Sequence, residues 1–346
     1  GEPMDADPHF MYDQASLELL MNVYEPLIFW NFVSTGNFIG IVADTWSGEL
    51  CDVTDPITGQ HYGQKWTFHI RTGAGAPKFH SSAAVTVPGE GDTVTIYDVE
   101  YSFERGMVVD AVTGGEILLW EAFLPGIGGA ADLEDPLFGE KIKFAVQTDA
   151  VGNNVIFYLV GPFEPFLQIV SQMFAPIMSK AWCIDATLHP DNWDGVWPDY
   201  SLPSGDGEDN PQNYTRWHKY HDPETSPLYT VDCSSSTPHP HLDYMIGTGP
   251  YMFDYWNKGA GGHYRLTKNA AYWRGWSSPA HVDNFISKYI STWETRRDHF
   301  KAGDADVVTV PRMYMEQVEG EPGIRGMYGL ESLYCLGMFF NQAISA

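Results

Sequence analysis

The side chains best suited to chemistry in this 346-residue sequence crowd into residues 185–245. His239 and His241 alternate, Asp243 follows, and His218 and His221 stand upstream, so imidazole and carboxylate groups at short spacing are available to converge on a metal ion. Asp191, Asp194, Asp206, Glu208 and Asp209 offer the hard oxygen donors that calcium takes, although their spacing fits no EF-hand loop. Both sets lie in a proline-rich stretch without periodicity, where solvated surface residues are the simpler reading, and no metal is assigned. The strings G-x-S-x-G, H-E-x-x-H, G-x-G-x-x-G and the P-loop are missing from the sequence. Local geometries for covalent, zinc-assisted or nucleotide chemistry are therefore unsupported, and neither an enzyme nor a cofactor is expected.

Cys51, Cys183, Cys233 and Cys335 form no C-x-x-C unit. Structural zinc, thioredoxin-type redox chemistry and c-type haem lose their signatures accordingly. Cys183 and Cys233 bracket the irregular stretch and are candidates for a disulfide, which in the chain-entropy account would stabilise the fold by roughly 4 kcal/mol. Asn213-Tyr214-Thr215, in the same stretch, is a glycosylation sequon. Both features point outside the cytoplasm.

The elements that must position any site follow from periodicity. Leu17, Leu20, Met21 and Tyr24 recur at helical spacing, predicting a helix over 14–28 that Pro26 ends. Trp66, Phe68 and Ile70 alternate with polar residues as in a half-buried strand over 65–71. Thr95 and Asp98 resemble a capping box, and Val99, Phe103 and Met107 carry a helix over 96–109. Residues 141–160 alternate on both sides of Gly152-Asn153 and predict a hairpin, followed by a helix over 165–180. Strands are expected at 251–256, 262–267, 282–290 and 306–310, with a helix over 294–302. Strands and helices alternate, so the class is α/β.

Composition sets further bounds. Hydrophobic residues make up 44% and charged residues 18%, enough apolar content for a core. Nineteen Lys and Arg stand against 45 Asp and Glu, a formal charge of −26 that repels phosphate backbones and excludes nucleic acid as a partner. The 14% aromatic content, including 12 Trp, suits either a binding cleft or an aromatic core. No run reaches the roughly 18 apolar residues of a membrane-spanning helix, and any leader or anchor is expected outside this sequence.

A set of short landmarks, in order along nearly the whole chain, resembles the solute-binding proteins of peptide-type ABC importers, a group that also includes nickel-complex and oligosaccharide binders. They are Asp7-Pro8-His9, Val23-Tyr24-Glu25-Pro26-Leu27, Trp66-Thr67-Phe68-His69-Ile70-Arg71, Asp98-Val99-Glu100-Tyr101-Ser102-Phe103 and Pro165-Phe166-Leu167. Gly247-Thr248-Gly249-Pro250-Tyr251, Asn269-Ala270-Ala271-Tyr272-Trp273-Arg274-Gly275 and Gly303-Asp304-Ala305-Asp306 complete the set.

The resemblance implies an α/β fold of the periplasmic-binding-protein type, class II-like, with discontinuous lobes around a ligand cleft. Residues 1–48 and 166–275 would form lobe I with an insertion at 185–245, residues 49–165 a small inserted lobe II, and 276–346 the start of an opposing lobe III. Relatives continue well past Phe339-Phe340-Asn341, so the last lobe is expected to be incomplete. The family pattern places Tyr12, Asp13, Gln14, Trp120, Gln172, Phe174, Tyr334, Leu336 and Met338 toward the cleft, with Trp30 and Trp256 in packing roles. The implied function is an extracellular or periplasmic subunit that captures peptides, or oligosaccharides or a metal chelate, by hinge closure and delivers them to an ABC permease. A surface structural or assembly protein using the same fold is the alternative.

Overall fold

The computed structural model describes residues 3, 6–9, 13–31, 36–81, 92–109, 123, 137–183, 245–259, 261–276 and 281–326. Two compact units emerge: residues 1–29 with 40–292, and residues 30–39 with 293–346.

In the first unit, helix α1 (Gln14–Val23) buries Leu19, Leu20 and Val23 on one stripe and is shorter than its periodicity suggested. Tyr24 is already extended, because the chain beyond it is taken up in pairing: Pro26 bridges Pro176, and the Ile177 amide donates to the Glu25 carbonyl at 3.0 Å. Next in the chain, β1 (Ile28–Trp30) pairs with β2 (Phe38–Gly40), residues 30–39 being counted in the second unit.

The larger sheet is antiparallel, in the order β3-β4-β6-β5, from β3 (Ala43–Thr54), β4 (His61–Ile70), β5 (Val146–Asp149) and β6 (Asn154–Leu159). Its β5–β6 turn is the expected one. Asn153 takes a positive φ of 52°, tolerable for Asn, and Asp149 Oδ1 accepts from the amides of Val151 and Gly152. Residues 141–145 differ from expectation. They finish a helix, α3 (Phe138–Ala145), instead of extending the hairpin. That helix places Phe144 on Tyr62 with ring centroids 5.0 Å apart, so a tertiary contact uses a sequence whose alternation alone suggested a strand.

Helix α2 (Ile96–Val109) begins where the capping box placed it: the Thr95 amide and hydroxyl donate to Asp98 Oδ2 at 2.8 and 2.7 Å. One face of the sheet and α2 enclose an aromatic core. Phe157 lies at its centre, with ring centroids 5.5 Å from Phe68, 4.7 Å from Phe103, 5.6 Å from Phe123 and 5.7 Å from Phe166. Much of the aromatic content is thus structural.

The helix expected over 165–180 is two short pieces, α4 (Phe166–Val170) and α5 (Lys180–Cys183). Pro176 cannot continue a helix, and its bridge to Pro26 draws the intervening residues into an extended path. A second antiparallel sheet, β7-β8-β9, consists of β7 (Tyr251–Asn257), β8 (His263–Lys268) and β9 (Asn284–Lys288), with Tyr264 and Leu266 buried on its inner face.

In the second unit, α6 (Trp293–Ala302) packs on a 3₁₀ turn (Arg312–Gln317), with Trp293 stacked on Tyr314 at 5.3 Å and its indole N–H donating to Gln317. Residues 306–310 form no strand, and Val307 is exposed. None of the helices among the described residues is long and apolar enough to cross a membrane.

Because Phe157 touches four rings in a closed core, Phe157→Ala is expected to lower unfolding free energy by about 3–5 kcal/mol in urea titration. A loss below about 1 kcal/mol would show a core able to collapse around the deletion.

Candidate functional site

The first landmark is held by a fully buried ion pair. Asp7 Oδ2 accepts from Arg105 Nη2 at 2.7 Å and Oδ1 from Nη1 at 3.0 Å, a two-pronged fork that ties the N-terminal segment to α2. Arg105 Nη1 also donates to His9 Nδ1 at 2.6 Å, and the His9 amide donates to Asp7 Oδ1 at 3.0 Å. Since Nδ1 accepts, the ring proton sits on Nε2. Burial, reinforced by Arg105 and opposed by Asp7, lowers the His9 pKa to about 3, so the ring stays neutral.

Four residues on, Asp13 caps α1. Its Oδ1 accepts from the amides of Ala15 at 3.0 Å and Ser16 at 2.9 Å, while Oδ2 is buried and accepts nothing among the described residues. Gln14 follows it and is exposed. The structure thus brings these two candidates together at the positively polarised end of one helix. Gln172 is half-buried beyond α4, and Phe174 is buried in the run from Met173 to Ser179. Tyr12, Trp120, Tyr334, Leu336 and Met338 lie outside the described residues, as do Asn213, Cys233 and the His and Asp sets of 185–244. Cys183 is buried on α5, and burial pushes its thiol up to about 12.

A second polar hub was not anticipated. Glu25 Oε1 accepts from the Tyr272 hydroxyl at 2.5 Å, and Oε2 accepts from the Trp273 indole at 2.7 Å and the Thr248 hydroxyl at 2.9 Å. Burial raises the Glu25 pKa against these three donors. The donors come from two other landmarks, so one carboxylate gathers three of them. Gly247 and Gly249 are required beside it: a Cβ on either would fall 2.0 Å from the Val23 carbonyl oxygen or 2.6 Å from that of Asn22. His80 closes the hub, its Nε2 donating to the Gly249 carbonyl at 2.8 Å, and burial lowers its pKa to about 4. The available signal was a carboxylate set among apolar residues in Tyr24-Glu25-Pro26-Leu27, which demands donors from elsewhere.

Residues 60–345 match the family described as bacterial extracellular solute-binding proteins, family 5 Middle. The chain belongs to that family. It is a substrate-binding transport family, and the mixed helix and sheet fold is of the periplasmic-binding type. Solved structures agree: HbpA2 from Haemophilus parasuis is similar at a TM-score of 0.56 and 19% identity, over 93% of this chain and 48% of that protein. A dipeptide binding protein from Pseudoalteromonas sp. SM9913, in complex with Met-Leu, gives 0.54 and 16%, over 93% and 48%. The Escherichia coli murein tripeptide binding protein MppA gives 0.53 and 18%, over 93% and 47%. This family 5 chain therefore spans about half the length of the structures it matches. No curated protein matches it.

Two measurements test the anchoring of the family landmarks. Arg105→Met strands the buried Asp7 carboxylate and is expected to lower unfolding free energy by about 3–5 kcal/mol, with Asp7→Leu added on top restoring part of it. A single-variant loss under about 1 kcal/mol would mean that the pair is solvated. The second is acid sensitivity. His9 and His80 are neutral when folded but take protons near 6.5 when unfolded, so stability is complete above about 6.5 and declines as pH falls toward about 4. Glu25, shifted upward, works in the opposite sense above about 4.5. Melting temperature should therefore drop across that window, and His80→Gln, which keeps a donor for Gly249, should flatten the decline.

Proposed function

We propose that this family 5 chain captures peptides outside the cytoplasmic membrane and delivers them to an ABC permease. The observation that carries the reading is Asp13: its second carboxylate oxygen is buried and without a donor among the described residues, while the first caps α1. A peptide's α-ammonium is both a donor and a cation, and satisfies such an oxygen better than a sugar hydroxyl does. The names of the Pseudoalteromonas and Escherichia coli relatives, a dipeptide and a murein tripeptide binding protein, support the same ligand class.

In this reading Tyr12, Gln14, Trp120, Gln172, Phe174, Tyr334 and Met338 supply the remaining apolar area and polar contacts. Residues 1–48 with 166–275, residues 49–165 and residues from 276 onward act as three lobes, and ligand closes them about a hinge. The step needs no covalent chemistry.

Asp13→Asn preserves the cap, because Asn caps a helix about as well as Asp. It removes the charge offered to the ligand. Calorimetric titration with a dipeptide and tripeptide library should give at least one ligand whose affinity falls about tenfold or more in the variant, a difference of about 1.4 kcal/mol. Equal affinity in both proteins would remove Asp13 from the site, and no peptide binding by the folded wild type would remove the ligand class.

A further inference from the structure

Between β4 and α2 the chain forms a strap of two short antiparallel pieces, residues 76–80 and 92–94. The Phe79 amide donates to the Asp92 carbonyl at 2.6 Å and the Val94 amide to the Pro77 carbonyl at 2.9 Å. Lys78 is bridged to Thr93, and its ammonium reaches the Asp92 carboxylate at 3.2 Å. Ala76, Pro77, Phe79 and Val94 are buried. Among the described residues, the strap's hydrogen bonds to the Gly247–Gly249 backbone both come from His80: its amide donates to the Gly247 carbonyl and its Nε2 to the Gly249 carbonyl, each at 2.8 Å. That backbone is itself held, since the Gly249 amide donates to the Val23 carbonyl at 2.9 Å and the Thr248 hydroxyl to Glu25 at 2.9 Å.

The imidazole fits this position only when neutral. Nε2 carries the proton given to Gly249, so Nδ1 is a bare acceptor, closed off from solvent by this chain's own residues and without a partner among those described. A second proton would go onto Nδ1 and create a buried, charged donor with nothing to receive it, a cost relieved only when the ring turns out to water. Of the ionisable groups on the elements around it, Glu25 accepts from Thr248, Tyr272 and Trp273, and Asp98 from Thr95 and the Lys180 amide. Lys78 and Asp92 pair with each other, and burial keeps the Tyr24 phenol protonated. None of these groups shifts the His80 ring, on which burial acts most, lowering its pKa to about 4 against the opposing pull of the Gly249 carbonyl.

We propose that His80 is a proton-operated latch: when its ring takes a second proton, residues 76–80 and 92–94 leave the Gly247–Gly249 backbone while the rest of the fold stays in place. The buried apolar side chains set how rarely the latch opens, and the imidazole sets how that rarity changes with pH. Open, the solvated ring takes a proton near 6.5; closed, it does so only at about 4. Protons therefore favour opening from pH 6.5 downward, by about tenfold per pH unit, and the effect saturates below about 4. In the three-lobe reading the strap lies in 49–165 and Gly247–Gly249 in 166–275, so the latch would fasten one lobe to another. The latch itself does not rest on that reading.

The test is amide hydrogen exchange followed by NMR on the full chain between about pH 7 and pH 4.5, each rate divided by the intrinsic rate at that pH. The His80 amide is expected to lose protection by about tenfold per pH unit below 6.5, while the Gly249 amide, bonded to Val23, and the Ile177 amide, bonded to Glu25, keep theirs. In His80→Gln, whose side chain keeps a donor for Gly249 and does not titrate, the amide at position 80 should show no such slope. Flat protection of His80 in the wild type overturns the proposal. So does a loss at Gly249 and Ile177 in step with His80, because the opening is then global. A slope that persists in His80→Gln overturns it as well, because another group is then the one that titrates.

Discussion

Taking a carboxylate and a guanidinium fully out of water costs several kcal/mol per ion, and the arrangement survives only when geometry returns that energy. Asp7 and Arg105 meet the condition with two parallel hydrogen bonds, and His9 uses the remaining reach of the guanidinium. The consequence is positional. Asp7 lies close before α1 in the chain and Arg105 lies in α2, which packs on the aromatic core, so the pair fastens the N-terminal segment to that core.

Glu25 imposes the complementary constraint on the other side of α1. A buried carboxylate needs donors, and it draws a hydroxyl, an indole and a phenol from segments more than 220 residues further along the chain. Gly247 and Gly249 then lie directly on the backbone that ends α1, at a separation that admits no side chain. His80 adds its ring to the same backbone. One buried polar cluster thus lies ahead of α1 in the chain, and another holds its end. Four of the eight landmarks, those at 7–9, 23–27, 247–251 and 269–275, contribute members to these two clusters.

That relation explains how much was legible in the sequence. Helix α2 was readable because its capping box is local, and β4, β7 and β8 because alternation reports a half-buried face. Strand β3 escaped notice: as an edge strand with both faces largely exposed, it has no apolar rhythm to detect. The 165–180 region misled for the opposite reason, since its apolar residues are buried in an extended path that pairs with the Glu25–Pro26 backbone. Asp7-Pro8-His9 and Asp98 to Phe103 were both noticed as landmarks, but the bond that holds Asp7 comes from Arg105, just past the second landmark and 98 positions away, and nothing local links the two residues. Of the candidate site, Asp13 and Gln14 were legible through resemblance alone. The buried oxygen that gives Asp13 its interest is a property of the fold.

These constraints converge on a scaffold whose polar interior is fixed in advance and which offers a carboxylate oxygen at a helix start. The central claim is that the family 5 scaffold here holds a peptide. Native mass spectrometry of the purified protein incubated with an equimolar mixture of short peptides, oligosaccharides and metal chelates tests it most directly. The account predicts a one-to-one adduct whose mass matches a peptide. An adduct with a saccharide or a chelate alone, or none while the protein remains folded, would contradict it.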